Sequence, residues 1–149
     1  MKASFWVCGV GAVAAWAGVA LAEAVEFRQA LTNAPLEVKP AANEVETDAV
    51  KRFKQTGENP YRGNQAALAD GKRLYATNCA LCHLPDGTGR IGSSLIGTDW
   101  SYPRVATDVG MFEVVYGGAS GAMQSFAKRG MAQDQMLKII AYVRSLAKT

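Results

Sequence analysis

Cys79 and Cys82 stand three positions apart in Cys79-Ala80-Leu81-Cys82-His83, with an imidazole directly after the second thiol. A redox dithiol wants such a pair at the start of a helix that follows a strand, whereas a helical pattern precedes it here. A tetrahedral zinc site needs two further Cys or His ligands, and His83 is the only histidine in the chain. A plain disulfide leaves His83 without a purpose. The arrangement that uses all three residues is c-type haem attachment, in which both thiols add across porphyrin vinyl groups and the imidazole reaches the iron. One covalent haem c is therefore expected, attached at Cys79 and Cys82, with His83 on the metal.

The sixth iron position decides between electron transfer and ligand binding. With no second histidine, methionine is the natural donor, and His/Met ligation raises the reduction potential. Met111 and Met136 fall within apolar helical patterns and read as core, and Met131 precedes the last helix as a packing contact. Met123 follows Gly117-Gly118-Ala119-Ser120-Gly121-Ala122, a stretch that lets backbone approach a flat ring and turn sharply enough to aim one side chain. Met123 is the expected axial ligand and Met131 the alternative. A saturated iron only gains and loses electrons, which makes the chain a carrier and not an enzyme. An open sixth position would instead suit a haem sensor or a small peroxidase.

Three helices must position these groups. Gln65 to Asn78 is helical in pattern, with Ala66, Leu68, Ala69, Leu74 and Tyr75 apolar, and runs directly into the cysteines. Asp108 to Tyr116 is a second helix, capped by Thr107 or Asp108 and turning Val109, Phe112 and Val115 inward. The last spans about Gln133 to Ala147, its inner face made by Met136, Leu137, Ile140, Val143 and Leu146 or Ala147, with Lys138 and Arg144 on or beside the wet face. Asp86 to Gly92 is loop by its glycine content. Ahead of these lies an arm: a hairpin from Phe27-Leu31 to Leu36-Val38 turning at Asn33 and Pro35, then one or two helical turns from Asp48 to Gln55, stopped by Gly57 and Pro60. The fold expected is all-α around one flat cofactor, with a short N-terminal β-hairpin arm.

Residues 1–22 read as a signal peptide: Lys2, an apolar run from Phe5 to Val19, and the small-x-small site Ala20-Leu21-Ala22, with Ala24 the next possible end. The run is short for a membrane span, so no stable membrane insertion is expected after cleavage, and the periplasm is the expected location. Residues 23–60 then form the arm and 61–149 the haem domain. Cys8 leaves with the signal, so at most one disulfide is possible. The net charge of +3 falls by one with Lys2, and no basic run is present, which argues against nucleic-acid binding.

Helix, Cys-x-x-Cys-His, glycine loop, methionine and terminal helix together resemble class I cytochromes c. In that fold the first and last helices cross where a glycine meets aromatic side chains, and Gly71, Tyr75 and Tyr142 match those places. Asn59-Pro60-Tyr61, Trp100-Ser101-Tyr102-Pro103, Asp108-x-Gly110-x-Phe112-Glu113 and the Gly117 to Met123 block are more specifically similar to the cytochrome c-L family, over nearly all of residues 27 to 147. That resemblance implies a periplasmic acceptor of electrons from pyrroloquinoline-quinone (PQQ) methanol dehydrogenase, passing them to a downstream c-type cytochrome or oxidase. The alternative within the same class is a carrier for another periplasmic dehydrogenase or terminal oxidase. The slight basicity of the chain points to the lanthanide-dependent branch of the dehydrogenase. The resemblance also places Trp100 and Tyr102 along the haem edge, within reach of a propionate, and makes the Gly117 to Met123 loop and the Cys79 to Cys82 edge the contact surface. One position departs from the class: Gly92 is followed by Ser93 where a proline is usual. The Ser93 carbonyl must then orient the imidazole.

Overall fold

The computed structural model describes residues 24–147; the expected signal peptide lies outside them. Two long helices form the frame. Helix α2 (Gln65–Asn78) begins where the Asn64 side chain accepts from the Ala67 amide, satisfying one of the free N–H groups of a first turn. Helix α5 (Gln133–Leu146) crosses it and presents Met136, Leu137, Ile140 and Val143 inward, as the pattern predicts, together with Ile139 and Ala141. At the crossing Gly71 lies against the Lys138 backbone, and the rings of Tyr75 and Tyr142 meet at 5.4 Å and 59°. The Cβ-free surface lets the two backbones touch, so the aromatic pair packs beside the contact instead of prising it open.

Helix α1 (Asp48–Thr56) is capped by Thr47 and stopped by Gly57 in the left-handed conformation. Its Phe53, the arm's Phe27 and Phe112 of helix α4 (Asp108–Gly117) make a cluster with centroids 5.1 to 5.9 Å apart. The arm is thus part of the core. Helix α3 (Ala80–His83) is the single turn carrying the cysteine motif, and a 3-10 turn over Pro103–Ala106 leads into α4. That 3-10 turn has no periodic signature in the sequence.

The expected hairpin is reduced to one isolated antiparallel bridge, Arg28 to Pro35, and the described residues contain no extended strand. Asn33 does turn the chain, at φ +56°. Two cross-chain bonds flank the bridge, from the Gln29 amide to the Ala34 carbonyl and from the Leu36 amide to the Phe27 carbonyl, both 2.8 Å, and the turn is closed by the Asn33 amide donating to the Gln29 carbonyl. The Arg28 N–H points away from the pair and donates to Glu113 at 2.7 Å, tying the arm to α4.

A second difference concerns charge. Arg144, expected near solvent, is largely buried and donates to Asp108 at 3.0 Å, while Arg62 grips the same carboxylate with two bonds of 2.8 Å. Asp108 is only 4% exposed, so its partners have to come to it. Burial would raise the Asp108 pKa, but the two guanidiniums outweigh that and hold the carboxyl below the usual range. Glu113, also buried, is held by Arg104 and by the Arg28 amide.

Candidate haem site

The attachment segment is a direct product of α2. The Cys79 amide still donates to Tyr75, closing α2, and the next turn is fixed by Cys82 and His83 amides donating to the Cys79 carbonyl at 3.1 and 3.0 Å. The two sulfurs therefore stand one helical turn apart on one side, the presentation that two vinyl groups of one ring edge require. Leu84 then reverses the chain at φ +62°, and the Tyr75 hydroxyl donates to its carbonyl at 2.7 Å, so the helix crossing also pins the exit from the motif.

The glycine loop folds back over this turn. The Cys82 carbonyl accepts from the amides of Arg90, Ile91 and Gly92 at 3.0 to 3.1 Å, and the His83 carbonyl accepts from Gly89. This wrapping lays Gly92 on the imidazole, where a Cβ would sit 2.4 to 2.8 Å from three ring atoms. The Ser93 carbonyl lies 2.8 Å from His83 Nδ1. Because a carbonyl only accepts, Nδ1 carries the proton and Nε2 is left as the free donor for a metal. The serine in place of the usual proline thus keeps the orienting bond. Gly92→Ala should push the ring off that carbonyl: we expect a destabilisation of about 1–3 kcal/mol. The low-spin ferric fraction at neutral pH should also fall, as read by absorption spectroscopy. A spectrum and melting curve matching the parent would refute the close approach.

The Cys79 thiol itself argues against the redox reading. Burial pushes the Cys79 thiol up to about 11, so it is protonated at neutral pH, opposite to the lowered value that a dithiol exchange nucleophile needs. Among the described residues there is no grouping of three or more His, Cys, Asp or Glu side chains placed to hold a metal ion.

The described methionines fall into two pairs, Met111 and Met136 buried, and Met123 and Met131 half-buried against the core. Met131 packs beside Ala127, Tyr116 and Gln133 around a cavity of about 90 Å³ closed by Lys39 to Glu44 of the arm. Met123 lies in the loop after α4, half-buried against the core. That loop is folded tightly: Gly118 has φ +85°, the Ala119 amide donates to the Met123 carbonyl at 2.8 Å, and the Ser125 hydroxyl returns to the Tyr116 carbonyl at 2.6 Å.

Trp100 and Tyr102 are half-buried against the same core. The Arg144 guanidinium lies 5.9 Å from the Trp100 ring centre, and the Tyr102 hydroxyl bonds to Ser120 of the methionine loop at 2.9 Å. The Arg62–Asp108–Arg144 group, whose Arg144 lies over Trp100, is missed by sequence reasoning: its spacing follows no helical period. The only signal was an acid at a helix start.

The attachment turn fits a covalent haem: two thiols one turn apart, an imidazole whose Nδ1 is tied and whose Nε2 is free, and a glycine cradle that a side chain would fill. Comparison with known proteins agrees. Residues 66–143 match the family described as cytochrome C oxidase, cbb3-type, subunit III. The crystal structure of cytochrome cL from the marine methylotrophic bacterium Methylophaga aminisulfidivorans is similar, with a TM-score of 0.77 at 35% identity over 81% of this chain and 80% of that one. Cytochrome cL from Hyphomicrobium denitrificans gives 0.76 at 38% identity over 82% and 73%. The chain belongs to the cytochrome c-L family. Its cofactor is therefore covalently bound haem c and its fold the mostly helical class I cytochrome c fold. Cytochrome c-L of Methylorubrum extorquens is 38% identical over 123 residues, 82% of this chain; the cytochrome spans 62% of that protein's length. The cbb3-type oxidase subunit CcoP of Rubrivivax gelatinosus is 34% identical over 82 residues, 26% of its length. No described helix of the cytochrome is long and apolar enough to cross a membrane.

Proposed function

We propose that the chain is a periplasmic mono-haem electron carrier, accepting electrons from a PQQ-dependent methanol dehydrogenase and passing them to a downstream c-type cytochrome or oxidase. The observation that carries the carrier reading is the sole histidine of the chain, held by its Nδ1 proton on the Ser93 carbonyl with Nε2 free. In this reading Cys79 and Cys82 form the thioethers, and His83 and Met123 are the axial ligands. Trp100 and Tyr102 wall the haem edge. When bound, the haem supplies one-electron chemistry at its iron. The protein's own work is to hold the imidazole in one tautomer, to aim the Met123 sulfur, and to keep a sixth position closed to oxygen and peroxide.

Leu81 and Ile91 are large apolar residues, 75% and 66% exposed, on the attachment turn and the loop folded over it. With the Gly117 to Met123 loop they form the contact surface of this reading, of the small, transient kind that electron-transfer encounters use. The dehydrogenase as partner is supported by the extent of the likeness to cytochrome c-L, which takes in the arm. Service to a terminal oxidase is the second reading, favoured by the family match over the haem segment.

Stopped-flow mixing of the oxidised cytochrome with reduced methanol dehydrogenase tests the partner. Reduction within seconds is expected with at least one of the calcium- and lanthanide-dependent enzymes, the lanthanide form being the faster. Failure with both removes the dehydrogenase from the reading. Ready binding of carbon monoxide by the ferrous protein at neutral pH would replace the carrier with a sensor.

A further inference from the structure

We propose that Tyr102 is a positioning residue for the sixth iron ligand, latching the Gly117 to Met123 loop through both the hydroxyl and the backbone amide of Ser120. The proposal rests on Met123 being that ligand.

Tyr102 sits in the segment between the two ligand loops. Its phenol donates to Ser120 Oγ at 2.9 Å and accepts from the Ser120 amide at 3.1 Å. Its one O–H is thus spent on the loop, and the residue's first task is to hold Ser120 in place. One residue earlier, Ser101 Oγ lies 3.3 Å from the hydroxyl of Ser93, the residue whose carbonyl orients His83. The segment therefore reaches the histidine side with Ser101 and the methionine side with Tyr102. Two features make it a firm support: Trp100 packs beneath Arg144, and Pro103 opens the 3-10 turn that docks on α4.

The loop needs such a support. Gly118 and Gly121 both have positive φ, so the backbone before Met123 has wide conformational freedom when unrestrained. Within the loop the Ala119 amide bonds only to the Met123 carbonyl, a contact that closes the turn without fastening it to the domain. Beyond Met123, Ser125 and Phe126 fasten the loop to the end of α4. Tyr102 supplies the corresponding hold before Met123. With both ends tied, the thioether has few positions to visit.

The test uses the mature holo-protein of the parent, Tyr102→Phe, Ser120→Ala, the double variant, and Met123→Ala. Added imidazole competes with the methionine sulfur, and its apparent affinity is read from loss of the sulfur-to-iron absorption band at the red end of the ferric spectrum. Amide hydrogen exchange at Ser120 reports the loop itself. Tyr102→Phe, which removes both bonds, should raise imidazole affinity and Ser120 exchange by about tenfold. Ser120→Ala keeps the amide bond and should give about threefold. The double variant should match Tyr102→Phe alone, since the side-chain bond is shared. Changes within twofold of the parent in Tyr102→Phe, or effects that multiply in the double variant, overturn the latch. A red band that survives in Met123→Ala overturns the ligand assignment beneath it, and the two failures are therefore distinguishable.

Discussion

Gly71→Val should prevent α2 and α5 from closing and cost the fold about 3–5 kcal/mol, a large part of the stability of a domain this size. A Cβ at Gly71 would lie 2.1 Å from the Lys138 carbonyl oxygen, 2.7 Å from its carbon and 3.0 Å from Tyr142 Cβ. Two of these neighbours are backbone atoms inside a helix, so no rotamer change relieves the overlap. The helices must separate, which pulls Tyr75 away from Tyr142. Tyr75 is also the residue whose hydroxyl holds the Leu84 carbonyl at the exit of the attachment turn, so the loss at the crossing is transmitted to the haem segment. The melting temperature should fall by roughly 10 °C, and the yield of haem-loaded protein should fall with it. Gly117→Ala is the control: its Cβ meets only Leu36 methyls at 3.5 and 3.8 Å, inside the last turn of α4, so little change is expected. If Gly71→Val melts with the parent, the crossing is not the close contact described.

What is legible in the sequence is what has a local cause. The bounds of α2, Gln65–Asn78, follow from its apolar pattern and from the cysteine motif at its end. The Ser93 carbonyl on His83 is legible from the likeness to class I cytochromes and is found at 2.8 Å. The arm is not legible in the same way. Its residues have a hairpin's turn chemistry and make one bridge, but the outward-facing Arg28 amide is taken by Glu113, 85 positions away, a tie to α4 that no local pattern encodes. Asp108 shows the same limit. The pattern leaves the cap open between Thr107 and Asp108; Thr107 supplies it, and Asp108 turns inward, because Arg62 and Arg144 converge there from two other parts of the chain. The resemblance puts Tyr102 along the haem edge, whereas the partner its hydroxyl has in the fold is a serine in the methionine loop, a pairing that no spacing rule encodes.

Asp108→Ala should be the other severe substitution, with a loss of about 3–5 kcal/mol, because it leaves a guanidinium inside the protein without its counter-charge. The burden falls on Arg144, whose side chain is 15% exposed; Arg62, at 58%, can turn to water and contributes little to the loss. The pH dependence follows from the direction of the shift. Asp108 has a folded pKa below its unfolded value of about 3.9, so its contribution is complete above that value and fades as pH falls through the folded pKa. Denaturation by urea should therefore show a constant gap between the parent and Asp108→Ala at neutral and mildly acidic pH, and a narrowing gap below about pH 4. Parallel stability curves to the lowest pH at which both fold would rule out the ion pair as the cause. Replacing Arg144 by methionine in the same protein removes the stranded charge and should recover part of the loss. Recovery must be incomplete, since Arg144 also donates to the Val105 and Thr107 carbonyls at 2.6 and 2.7 Å and lies over the Trp100 ring. Those contacts support the 3-10 turn and the segment that carries Tyr102. With Met123 as the proposed sixth ligand, the residual defect should accordingly appear as easier displacement of its sulfur by imidazole, joining the buried ion pair to the methionine loop through the segment it holds in place.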